Sequence, residues 1–125
     1  MSLRISNSEL EVLNVMWEVG TPLHRGGILE NSKDKTWKDS YIHILLNKML
    51  EKGLIQEAGF TRSGKVWARL YQPAITREEY YIDVLLAGAL DPVMLVKLIL
   101  KRPDTTKETL DTLQEMIEQA RTQKE

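Results

Sequence analysis

Ile42-His43-Ile44-Leu45-Leu46-Asn47-Lys48-Met49-Leu50-Glu51-Lys52-Gly53, running straight into Leu54 to Tyr71, is the stretch that decides the fold. Ile42, Leu45, Leu46, Met49 and Leu50 recur at i, i+3, i+4, i+7 and i+8, which lays one apolar stripe along a helix. Gly53 follows the last apolar position, where a glycine most readily ends a helix. Beyond it, β-branched and aromatic residues flank Arg62-Ser63-Gly64-Lys65, a turn of about four residues, and Val66, Ala68 and Leu70 alternate with Trp67, Arg69 and Tyr71. The spacing therefore predicts a helix followed by a two-stranded hairpin.

Working back toward the N-terminus, Ser6 with Glu9 three residues on forms a capping box ahead of Leu10, Val12, Leu13, Met16 and Trp17. Gly20-Thr21-Pro22 ends that first helix. A second is expected from Pro22, with Thr21 as its cap, through Ile28 and Leu29; Gly26 and Gly27 weaken it by about 1 kcal/mol each relative to alanine. Polar Asn31 to Lys38 reads as a loop. Three helices and then a hairpin is the order of a winged helix, whose helix before the hairpin enters a major groove.

After Pro73 the pattern changes. Thr76–Leu90, Asp91–Arg102 and Asp104–Gln119 each read as a helix, separated by Asp91-Pro92 and Pro103-Asp104, and Arg121 to Glu125 form a frayed charged tail. The middle helix is apolar nearly all round, and an appendage of about 50 residues cannot bury that surface by itself. A second copy of the chain is expected to cover Val93, Leu95, Val96, Leu98 and Ile99, together with Leu110, Leu113 and Ile117 of the last helix.

The net charge is −1, an average that hides a gradient: residues 33–69 hold eight Lys/Arg against four Asp/Glu, whereas residues 76–125 hold seven against ten. A polyanion would bind the former segment. The chain has no cysteine, which excludes disulfides, thiolate metal sites and cysteine nucleophiles, and His24 and His43 stand at no metal-ligand spacing. Neither a Gly-rich phosphate loop nor a base–nucleophile pair is present, so no enzyme, metal or cofactor is expected. The longest apolar stretch is interrupted by Lys97 and too short to span a bilayer, and Met1-Ser2-Leu3-Arg4 lacks the apolar core of a secretory signal. The expected compartment is the cytoplasm, without membrane insertion.

Three runs carry a family resemblance: Ile5-Ser6-Asn7-Ser8-Glu9 through Val12 and Trp17; Trp37-Lys38-Asp39-Ser40-Tyr41 through Gly53-Leu54-Ile55; and Arg69-Leu70-Tyr71-Gln72-Pro73 leading into Arg77-Glu78-Glu79-Tyr80. In this order and spacing the chain resembles the penicillinase repressor family over most of residues 5–102. The resemblance implies a homodimer that binds a palindromic promoter operator in double-stranded DNA and represses transcription until a signal releases it. In the antibiotic-resistance members, a membrane sensor triggers cleavage in the C-terminal helices. This chain departs from the family pattern: Tyr41 and Ile44 replace threonines, Lys48 replaces an arginine, Leu98-Ile99 stands at the Asn-Phe cleavage pair, and the cysteines of the copper-responsive branch are missing.

The expected fold is thus mostly α with a small β-hairpin: a winged helix-turn-helix DNA-binding domain over residues 1–75 and a helical dimerisation region over 76–125. With the apolar stripe of the third helix turned inward, Ser40, Tyr41, His43, Ile44, Asn47 and Lys48 face out; hydroxyls, an amide and a cation suit base edges and phosphates, and Ile44 suits a thymine methyl. Arg62, Ser63 and Lys65 at the hairpin tip, with Lys38 and Arg4 at the flanks, are the expected phosphate contacts. The alternative is a winged helix used for protein–protein contact, with Tyr41 and Ile44 as its apolar centre. Trp17, Trp37 and Trp67 are expected in core and strand packing, and His24 in a structural or solvated role.

Overall fold

The computed structural model describes residues 5–88 and 90–124. Its elements run α1 (Asn7–Val19), α2 (Arg25–Glu30), a 3-10 turn (Asp39–Tyr41), α3 (Ile42–Glu51), β1 (Ile55–Ser63), β2 (Val66–Pro73), α4 (Arg77–Ala87), α5 (Pro92–Lys101) and α6 (Lys107–Lys124). The fold is the expected one, mostly helical with an antiparallel hairpin and helices after it. Packing divides the chain into two units, Met1–Val84 and Leu85–Glu125.

The first unit forms because three helices each bury one stripe on a common centre. Val12, Leu13 and Met16 of α1, Ile28 of α2, and Ile42, Leu45, Leu46 and Met49 of α3 join Trp37, Leu54, Ile55 and Tyr71 in one core. Each large apolar side chain buried this way contributes roughly 1.5–3 kcal/mol. The capping box fixes the start of α1: the Glu9 N–H donates to Ser6 Oγ at 3.2 Å and the Ser6 N–H donates to Glu9 Oε1 at 2.8 Å. Arg4 lies outside the described residues.

α2 starts three residues later than the sequence suggests. Leu23 pairs with Tyr71 instead, exchanging backbone hydrogen bonds of 2.9 and 2.8 Å, so Leu23 joins the sheet edge and His24 takes the cap position. The His24 ring folds over the two glycines that follow, and a Cβ at Gly26 would stand 2.9 Å from its Nε2. These glycines therefore make room for a neighbour, at the propensity cost noted above.

The hairpin turn is also tighter than expected. Ser63 pairs with Val66, leaving only Gly64 and Lys65 in the loop, with Gly64 at φ 65°. A two-residue loop twisted to match its strands needs that left-handed conformation, which glycine adopts without steric cost. Between Glu57 and Phe60 β1 carries one extra residue relative to β2, a bulge that re-aims the outer half of the hairpin. Opposite residues share a face of a sheet, so Phe60 with Arg69 and Arg62 with Trp67 lie on the same face as the buried Tyr71.

α4 opens on a second capping box, with the Thr76 N–H donating to Glu79 Oε1 at 3.1 Å and the Glu79 N–H donating to Thr76 Oγ1 at 3.0 Å. Its beginning rests on Trp17, whose Nε1 donates to the Ile75 carbonyl at 3.0 Å and whose ring lies 5.9 Å from that of Tyr80. α5 starts where expected, with Asp91 accepting from the Val93 N–H at 3.0 Å. α6 starts later than expected, at Lys107, because Asp104 pairs with Arg102 at 2.8–2.9 Å while Thr106 caps the helix. It also runs on through the charged tail to Lys124 rather than fraying after Gln119.

Candidate nucleic-acid interface

α3 presents the predicted arc. Ser40, His43, Ile44, Asn47 and Lys48 are exposed, as is Lys38 just before the 3-10 turn, and Ile44 retains 51% of its surface in solvent. Tyr41 differs: it is half-buried against the edge of the core. Its hydroxyl accepts from Lys48 Nζ at 3.2 Å, and the ammonium lies 5.8 Å from the ring centre. Tyr41 thus acts on the arc by positioning Lys48. Asp39 is paired with Lys35 at 2.6 Å, which offsets its charge beside the arc.

At the hairpin tip Arg62 and Lys65 are exposed and Ser63 is half-buried. Trp67 is not packed as the sequence suggests: 65% of its surface is exposed, as is 62% of Phe60. The alternating pattern of β2 places Trp67 on the same face as Tyr71, but the core reaches only as far out as Tyr71. The Arg62 guanidinium lies 5.4 Å from the centre of the Trp67 ring. Trp17 and Trp37 are respectively half-buried and buried, as expected.

Sequence reasoning missed Arg25. Its guanidinium lies against the imidazole of His43, joining α2 to the arc of α3. The two are 18 residues apart, and the misplaced start of α2 hid the contact. Arg25 and His43 help to line a groove of about 390 Å³ between α2–α3 and the hairpin, with Asn47, Phe60, Trp67 and Arg69 among its other walls. Among the described residues no carboxylate lines it. Arg69 is itself paired with Glu57 at 2.9 Å.

One ionic contact steadies the arc from behind. Glu9 retains 1% of its surface, and its Oε1 accepts from Lys52 Nζ at 2.7 Å, tying the start of α1 to the residue after α3. Burial pushes the Glu9 carboxyl upward, but the hydrogen bonds from Lys52 and Ser6 outweigh it and hold the group below the ordinary glutamate range.

In the second unit the predicted pairing residues lie at the surface of the single chain. Val93, with 74% of its surface in solvent, Val96, Leu98, Ile99, Leu110 and Ile117 are exposed, while Leu95 and Leu113 are half-buried. Among the described residues, no helix is long and apolar enough to cross a membrane, and no group of His, Asp or Glu could hold a metal ion.

Three helices on one core, a two-stranded wing and an exposed arc on the helix before it define a winged-helix protein with C-terminal helices. The penicillinase repressor family model matches residues 5–119, and the chain belongs to that family. A penicillinase repressor of Bacillus licheniformis is 25% identical over 128 residues, covering 97% of this chain and 94% of the relative. The solution structure of the monomeric form of Bacillus licheniformis BlaI in complex with the blaP half-operator is 29% identical, with a TM-score of 0.45, covering 62% of this chain and 88% of that one.

Proposed function

We propose that the chain is a homodimeric DNA-binding repressor of transcription, acting in the cytoplasm. The winged helix of residues 1–75 reads a palindromic promoter operator, and the helices of residues 76–125 pair two copies. The observation that carries this reading is the α3 arc: Ile44 half exposed among His43, Asn47 and Lys48, in a member of a repressor family.

Each side chain then has a chemical role. Asn47 offers an amide to a base edge, Ile44 meets a thymine methyl, and Lys48, held by Tyr41, meets a phosphate or a guanine edge. Ser40, His43 and Lys38 contact the backbone beside the reading helix, and Arg62, Ser63 and Lys65 contact it at the wing. Val93, Leu95, Val96, Leu98, Ile99, Leu110, Leu113 and Ile117 form the seam between copies, because an apolar surface of this extent is stable only when covered. A sensor or protease that relieves repression would act on these C-terminal helices.

Selection from a random duplex library tests the proposal and defines the operator in the same experiment. Enrichment of an inverted repeat, its half-sites one helical turn or a multiple of it apart, is the expected result. Failure to enrich any sequence would overturn the reading.

A further inference from the structure

Arg25 and His43 touch, yet neither meets a carboxylate, and among the described residues Arg25 has no ion pair. The Arg25 guanidinium can only donate, so a His43 ring nitrogen accepts from it, and the other guanidinium N–H groups stay available to an anion. The pair opens into the groove described above, lined among the described residues by no acidic side chain; of the two arginines on its walls Arg69 is paired with Glu57 and Arg25 has no ion pair among those residues. The opposite wall is the inner face of the wing, where Phe60 and Trp67 stand mostly exposed and Arg62 lies over the Trp67 ring. Apolar ring faces beside fixed cations suit a ligand that alternates anionic and apolar parts along its length.

We infer that this groove seats one sugar–phosphate strand of the duplex, Arg25 holding a phosphate beside His43 while Trp67 packs on the adjoining deoxyribose. The inference rests on the DNA-binding reading and adds two contacts, Arg25 and Trp67, that lie outside the α3 arc and the wing tip. His43 of α3 and Ser63 of the wing both line the groove, so a strand lying along it reaches both segments. A phosphate contact carries no sequence information, whereas it does carry salt dependence: each phosphate neutralised contributes a slope of about 0.9 in log affinity against log salt. Arg25 therefore contributes roughly eightfold at about 0.1 M salt relative to 1 M.

The test is fluorescence anisotropy of the full chain with a duplex of its own upstream region and with a scrambled duplex, across a salt series. For R25Q we expect roughly eightfold weaker binding to both duplexes, a salt slope lower by about one, and an unchanged preference for the native duplex. R25K should keep the slope. W67A should weaken binding severalfold with the slope intact, and W67F should recover most of that loss. Both positions are on the surface, so thermal midpoints near that of the wild type establish that the variants are folded. Wild type binding while R25Q and W67A match its affinity and slope would overturn the groove assignment alone. Loss of native preference in R25Q would overturn its backbone role, and a wild type that binds neither duplex would overturn both the groove and the reading beneath it.

Discussion

Replacing Lys52 by methionine removes the cation that meets a carboxylate buried at the start of α1. Glu9 retains 1% of its surface and would keep only its bonds to Ser6. Breaking one side of a fully buried pair costs about 3–5 kcal/mol. Here 40% of the Lys52 side chain is exposed, so water replaces part of the lost ammonium, and the expected loss is about 2 kcal/mol, the range for a charged acceptor left short of a partner. Urea denaturation of both proteins measures it, and pH sharpens it. In the wild type the Glu9 carboxyl is held below its ordinary value, so its contribution is complete above the unfolded value of ~4.3 and is lost as pH falls through the lower folded value. In K52M burial acts without its main counterweight, the folded value rises above the unfolded one, and the variant recovers stability by taking up a proton. The gap between the two proteins should thus be largest near pH 7 and narrow below about pH 5. A gap under about 0.5 kcal/mol at pH 7, or one constant down to pH 4, would show that Lys52 does not stabilise the buried Glu9 carboxylate.

L113D and I117D should each give monomers by light scattering, because a carboxylate in a dry seam costs several kcal/mol; a persistent dimer would place the seam elsewhere than α6. G64V puts a β-branched residue at φ 65° and should cost about 1–2 kcal/mol, lowering the thermal midpoint by several degrees and weakening DNA binding through the wing tip; an unchanged midpoint would contradict the turn geometry.

What was legible in the sequence was what short-range chemistry determines. The Ser6–Glu9 box, the apolar spacing of α3 and the turn at Gly64 each involve residues within one or two turns of chain. What was hidden depends on partners brought in from afar. Pro22 is a sound helix-start signal, but Leu23 gains two backbone hydrogen bonds from Tyr71, and that pairing wins. Glu9 reads as a cap and is one, yet its partner Lys52 lies 43 residues away, so its burial could not be foreseen. For Trp67 the alternation of β2 defines a face without saying how far the core extends along it. Tyr41 reads as part of the outward arc, but it is half-buried against the core edge, where its hydroxyl accepts from Lys48, and that placement needed the fold. The extent of the apolar surface on α5 was legible outright, since only Lys97 and Lys101, on one face of that helix, are polar.

Whether α3 and the wing read a DNA sequence is decided by binding of the wild type to its own upstream duplex and to a scrambled one from about 50 to about 300 mM salt. Tighter binding to the native duplex at every salt concentration is expected, with affinity for both falling steeply as salt rises. Equal affinity for the two duplexes, or affinity indifferent to salt, would contradict it and point to a protein-binding face centred on Tyr41 and Ile44.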